Sequence, residues 1–209
     1  MDKFIFILEM IGTVAFSISG AMTALKKHMD IFGVAILGLT TAVGGGAVRD
    51  IVLGITPPTM FLKPIYAMVA IVVSVIVFIP ALRHALTKNA RVYDIVMRVM
   101  DSSGLAIFTV MGISTAKGTE GEHGLFLLVF VGVITGVGGG LIRDMMAGNT
   151  PYIFVKHIYA CASIVGAFVC ALAWNYIGAV WSMFIGASLV FVIRLLAAHF
   201  KWSLPKSGE

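Results

Sequence analysis

Two stretches of this sequence are near copies: Thr41-Ala42-Val43-Gly44-Gly45-Gly46-Ala47-Val48-Arg49-Asp50 and Thr135-Gly136-Val137-Gly138-Gly139-Gly140-Leu141-Ile142-Arg143-Asp144. Their glycine triplets and Arg-Asp pairs stand 94 positions apart. The register continues through Gly54 and Gly148, Thr56 and Thr150, and Pro57 and Pro151. It then shifts by one, setting Lys63-Pro64-Ile65-Tyr66-Ala67 against Lys156-His157-Ile158-Tyr159-Ala160. Upstream, Glu9, Gly12, Phe16 and Gly20 match Asp101, Gly104, Phe108 and Gly112 at an offset of 92. A common register over so many positions marks an internal repeat.

Each copy is built almost wholly of apolar runs. Of 209 residues, 59% are hydrophobic and 12% charged, and the mean hydropathy is +1.02. A soluble domain of this length needs more charged surface, so the soluble classes are excluded. A bilayer-crossing helix takes about 20 apolar residues. Such runs fall at residues 4–25 (broken only by Glu9), 31–48, 64–82, 95–116, 124–142, 153–174 and 178–198. The uncharged tract 158–193 is too long for one crossing, and Asn175-Tyr176-Ile177-Gly178 is its natural break. The runs are continuous rather than alternating, which predicts helices and not a β-barrel.

The expected fold is therefore an all-α polytopic membrane protein, one domain over residues 1–209. Repeat one covers about 4–82, repeat two about 95–174, and a seventh helix about 178–198. Residues 83–91 form the longest polar connector. Three crossings per unit force the second copy to enter the membrane from the opposite side. The copies are then inverted repeats about an axis in the membrane plane, an arrangement used by transporters and channels.

Loop charge sets an expected orientation. Lys26, Lys27, Arg83, Lys88, Arg91, Lys156, Lys201 and Lys206 fall on one side, against Lys3, Lys63 and Lys117 on the other. Positive loops stay in the cytoplasm, which predicts an external amino terminus and a cytoplasmic carboxyl terminus in a plasma membrane. The net charge of +5 belongs to those loops beside anionic lipid, not to a nucleic-acid surface. Cys161 and Cys170 lie about 13 Å apart along one helix, beyond disulfide reach. There is no HExxH or GxSxG motif, and the five histidines are scattered. No enzyme, cofactor or structural metal is expected.

The glycine triplets are the first candidate site. Three successive glycines weaken a helix and bare its backbone. A break of that kind survives in a membrane only where protein or water satisfies the freed carbonyls. One reading makes Gly44, Gly45, Gly46, Gly138, Gly139 and Gly140 a pair of kinks whose carbonyls face a passing cation. The other makes them close-packing positions, as in the Gly132, Gly136, Gly140 ridge.

Arg49-Asp50 and Arg143-Asp144 follow each triplet. Charges at membrane depth are costly and face an interior or a wet cavity. Because neighbours on a helix do not face each other, Arg49 is expected to pair with an acid on another helix, and Asp50 with a base. Their roles stand between permeation and stapling the bundle. Glu9 and Asp101 are the remaining symmetric acids. Each heads a polar stripe, through Thr13 and Ser17 in one copy and Thr109 in the other, that either lines a path or packs. Lys63 and Lys156 open the third and sixth spans as candidates for a gate or for simple snorkelling.

The paired GGGxxRD motifs, the trailing GxTP (GNTP at 148–151 in the second copy) and the three-plus-three-plus-one layout resemble prokaryotic relatives of the trimeric intracellular cation (TRIC) channels. This family is also described as a glycine-transporter-type domain. The resemblance runs from about residue 4 to 198. It implies a homotrimer with a separate cation path in each subunit, bent second and fifth helices, and preference for monovalent cations, chiefly potassium. The basic motif that binds inositol lipid in animal members has no counterpart here. Two functions follow as expectations: a passive monovalent-cation channel, or a secondary transporter of a small solute such as glycine, with half-helix ends holding its carboxylate.

Overall fold

The computed structural model describes residues 2–121, 123–155 and 158–202. Over these the chain forms α1 (Asp2–Lys26), α2 (Ile31–Val52), α3 (Thr59–Leu62), α4 (Ile65–Phe78), α5 (Pro80–Thr87), α6 (Ala90–Gly118), α7 (Leu125–Met146), α8 (Tyr152–Val155), α9 (Tyr159–Ile177) and α10 (Ala179–His199). Six of them, α1, α2, α6, α7, α9 and α10, are each long and apolar enough to cross a bilayer. Helices α4 and α5 pass only together and bend by 76° at their junction, so the described residues hold six crossings, or seven if this bent pair is one span. The protein is thus an all-α, polytopic membrane protein.

Local chemistry explains the boundaries. Asp30 caps α2 by accepting from the Gly33 amide at 2.8 Å, and Asn89 caps α6 by accepting from the Arg91 amide at 2.9 Å. Beyond the ends of α2 and α7 the backbone turns left-handed at Gly54 (φ 70°) and Gly148 (φ 64°), where a side chain would be strained. Gly178 (φ 79°) alone separates α9 from α10, inside the break read from the sequence.

Two boundaries differ from expectation. The third span does not run unbroken to residue 82. Pro80 starts a new helix, and Ile79 before it is extended (φ −53°, ψ 131°), because proline disfavours the helical conformation in its predecessor. At 14 residues α4 is roughly 21 Å long, short of the hydrocarbon core. The connector 83–91 is also no simple loop. Its first half is the end of α5, and α6 begins at Ala90, one turn earlier than the apolar run.

The centre is a four-helix contact in which equivalent elements meet head to tail. Phe16 of α1 and Phe108 of α6 stack with ring centroids 5.3 Å apart, while Ser19 reaches the Met97 sulfur at 3.5 Å. Rising numbers on α1 meet falling numbers on α6, so the pair is antiparallel. The same order holds between α2 and α7, where Thr40 reaches Met146 at 3.5 Å and Gly45 abuts Thr135. Against this core α4 packs on α1 and α2, and α9 packs on α7 and α6. Helix α10 packs chiefly on α9 and α6.

The triplets do not interrupt their helices. Both α2 and α7 keep regular helical winding through residues 44–46 and 138–140, which corrects the expectation of a break with freed carbonyls. The reason is close approach. A Cβ on Gly45 would collide with the Thr135 carbonyl oxygen, and one on Gly139 with that of Thr41. Gly44 faces Ile142 and Gly138 lies against Gly45. Small residues let membrane helices touch along their backbones, and van der Waals contact then supplies the attraction that water cannot.

Candidate functional site

The two Arg-Asp pairs hold the same local fold. Arg49 donates from Nε to Asp50 Oδ1 at 2.8 Å, and Arg143 to Asp144 Oδ1 at 2.8 Å. The second oxygen of each aspartate accepts a backbone amide from beyond the helix end: Thr59 N to Asp50 at 2.7 Å and Tyr152 N to Asp144 at 3.0 Å. Each aspartate's own carbonyl also accepts an amide five residues on, from Ile55 and Asn149, at 2.8 Å in both cases. The expectation that Arg49 pairs with an acid on another helix is therefore wrong for Arg49. Its long side chain folds back along the helix to its neighbour, whose carboxylate is pinned by the turn into α3. Arg143 does both, because it also reaches Asp101 on α6 at 2.6 Å.

Around this shared frame the two halves diverge. In the second, Arg143 Nη1 also donates to the Ser19 hydroxyl at 2.6 Å, and the side chain is wholly buried. The Tyr159 hydroxyl and Asp101 Oδ2 are buried without a hydrogen-bond partner among the described residues. The guanidinium of Arg194, from α10, lies 4.6 Å from the Tyr159 ring centroid, and that of Arg143 lies 5.1 Å from the ring of Tyr152. This cluster is cross-linked between α1, α6 and α7.

In the first half the Tyr66 hydroxyl donates to Glu9 Oε2. Among the described residues the ion-pair partner of Arg49 is Asp50 alone. Between them lies a cavity lined by Glu9, Thr13, Gly46, Arg49, Asp50 and Tyr66, among others. About 50 Å³ of it is open to the centre of a water-sized sphere, enough for a few waters at roughly 10–15 Å³ each. Two carboxylates face one guanidinium there. On the opposite face a wider vestibule of about 310 Å³ runs in to Asp101, with Lys26, Arg98, Arg194 and Lys201 against Asp94 and Asp101. The Phe16–Phe108 pair and the Gly45–Gly139 crossing lie between the two.

The chain matches the family model described as "Glycine transporter" over residues 6–81 and 98–175, the two repeats. It is 38% identical to the UPF0126 inner membrane protein YadS of Escherichia coli K12 over 95% of this chain and 93% of that one. It is 34% identical to the UPF0126 membrane protein YvgT of Bacillus subtilis over 95% and 94%. A solved TRIC cation channel superposes with a TM-score of 0.85 at 34% identity over 97% of each chain. The TRIC trimeric intracellular cation channel orthologue from Rhodobacter sphaeroides gives 0.86 at 30% identity over 95% of this chain and 99% of its own. The chain is a prokaryotic member of the TRIC family.

Within this TRIC-family chain the sequence-derived candidates separate into three groups. Glu9, Gly46, Arg49 and Asp50 come together at one cavity, and Asp101, Gly140, Arg143 and Asp144 at the locked cluster. Gly44, Gly45, Gly138 and Gly139 lie in the crossing of α2 and α7. Ser17 and Thr109 are buried, donating to the carbonyls of Thr13 and Leu105, and Thr109 also meets the Ser163 hydroxyl at 2.7 Å. Neither serves as cavity wall. Lys63 is exposed at the end of α3 and is not itself part of the cavity lining, although its amide donates to Thr59, which is; Lys156 lies outside the described residues. The tyrosines Tyr66 and Tyr159 were not singled out from sequence as site residues. Their signal was the repeated Ile-Tyr-Ala after each lysine.

Proposed function

We propose that this protein is a monovalent-cation channel, potassium-preferring, of a bacterial or archaeal plasma membrane. Its path lies inside each subunit, between two oppositely inserted repeats. The observation that carries this reading is the cavity at Glu9, Arg49 and Asp50. It is a water-sized space at membrane depth whose charged lining, Glu9, Arg49 and Asp50, has an excess of carboxylate and includes the Arg-Asp motif that recurs in both halves. Buried charge around water-filled space is what an ion path needs. Head-to-tail contacts between α1 and α6 and between α2 and α7 support the inverted arrangement, and loop charge supports an external amino terminus. The likeness to TRIC cation channels supports a homotrimer in the lipid bilayer, with one path per subunit rather than one on a shared axis.

The path is hourglass-shaped, with the acidic cavity at one end and the basic vestibule at the other. Phe16, Phe108 and the Gly45–Gly139 crossing form the waist. Gly46 leaves room in the acidic chamber, where its position meets only Arg49.

Solute transport, the function named in the family description, is the second reading. It calls for half-helix ends aimed at a carboxylate; the continuous winding of α2 and α7 through both triplets offers neither those ends nor the freed carbonyls first expected for a cation, so the channel reading rests on the cavity instead. Purified protein in planar bilayers under asymmetric KCl separates the two. The channel reading expects discrete unitary currents reversing near the potassium potential. Saturable glycine uptake without unitary currents would replace it with the transporter.

A further inference from the structure

Four residue positions recur in both halves: an acid on the first helix (Glu9, Asp101), the Arg-Asp pair, and a tyrosine opening the long helix that follows (Tyr66, Tyr159). The chain holds this set in two arrangements at once. In the second half the arginine holds the acid and the tyrosine hydroxyl has no hydrogen-bond partner among the described residues. In the first half the tyrosine holds the acid, the arginine keeps only its neighbour, and a cavity opens between them.

We propose that Glu9 exchanges between Tyr66 and Arg49, that Tyr66 is the positioning residue that keeps it off Arg49, and that transfer to Arg49, the pairing Asp101 makes with Arg143, narrows the cavity. For its effect on current this rests on the channel reading; the exchange itself does not.

Each element of the exchange is present. Glu9 has one methylene more than Asp101, so its reach is greater. Tyr66 is largely buried, so its hydroxyl has little water to turn to when the carboxylate leaves. The arginine-bound form is attainable because the second half adopts it with an acid, an arginine and a tyrosine at the equivalent positions.

The second half keeps its arginine-bound form because it has two fastenings that the first lacks. The Ser19 hydroxyl binds Arg143, while the repeat-equivalent of Ser19 is Met111, which offers no comparable hydroxyl. Arg194 lies over Tyr159 from α10, a helix that only the second half has. A two-state element needs its alternatives within a few kcal/mol of each other, and the first half, without those fastenings, is the one that meets the condition.

The test places a thiol at the cavity wall, Ala47→Cys, in full-length protein with Cys161 and Cys170 replaced by alanine. Silver ion, a monovalent cation, is the probe, and its protection of the thiol from later alkylation gives a rate. Tyr66→Phe should slow that rate at least about tenfold, the shift expected from losing one hydrogen bond to a carboxylate. Adding Glu9→Gln to Tyr66→Phe should restore it, because a neutral amide has little hold on Arg49. Tyr159→Phe should leave the rate as it was.

An unchanged rate in Tyr66→Phe overturns the exchange, as does equal slowing by Tyr159→Phe or failure of Glu9→Gln to rescue. In bilayers, Tyr66→Phe should lower open probability by a similar factor at unaltered unitary conductance. Absent wild-type currents would overturn the channel reading alone, while the silver rates still decide the exchange.

Discussion

Glu9 and Asp101 occupy equivalent places in the two halves, yet one is held by a tyrosine, with a cavity between it and its arginine, and the other is held directly by its arginine in a cross-linked cluster. The Arg-Asp pairs below them are almost superimposable in their hydrogen bonds. The divergence therefore comes not from the repeated motif but from residues outside it: a serine in α1 and an arginine in the appended α10. A duplicated sequence supplies a frame twice, and unpaired residues decide which copy stays open.

The largest expected effect is on the locked half. Asp101→Ala leaves Arg143 short of its cross-helix partner, and breaking a buried ion pair costs about 3–5 kcal/mol. Its thermal midpoint in detergent should drop well below that of Glu9→Ala. Equal losses would mean that the halves are alike. Next comes the crossing. Gly45→Ala or Gly139→Ala forces a methyl into backbone and should cost about 1–3 kcal/mol each, whereas Gly46→Ala should fold normally and lower unitary conductance. If all three behave alike, the division into packing and cavity glycines fails.

Ser19→Ala removes one hydrogen bond to a buried guanidinium, about 1.5–3 kcal/mol at most, and should loosen the second half toward the first. Amide exchange rising in α7 with α2 unchanged would report it. Smallest of all, Lys63→Ala should leave unitary conductance within error, since this lysine is exposed and only its backbone amide, which the substitution keeps, bonds a cavity residue.

Much of this was legible in the amino-acid sequence. The repeat, the helical class and the break at Gly178 follow from hydropathy and register, which do not depend on tertiary detail. Pro80 was legible as a helix breaker but was hidden within an apolar run, so the third span read as whole. The triplets misled because bared backbone has two outlets, a wet break or another backbone, and only three-dimensional contact shows that Thr41 and Thr135 fill the space. The pairing of Arg49 was hidden for a similar reason. Helical geometry keeps adjacent side chains apart, but at a helix end the long arginine can fold back to an aspartate fixed by Thr59.

The central claim is that ions use the carboxylate-rich cavity of the open half. Unitary current in symmetric KCl, measured for Glu9→Gln beside wild type, tests it most directly. The account predicts a smaller cation current and weaker discrimination against chloride, because the cavity then holds one carboxylate against one guanidinium. Currents and selectivity identical to wild type would contradict it and place the path elsewhere in the protein.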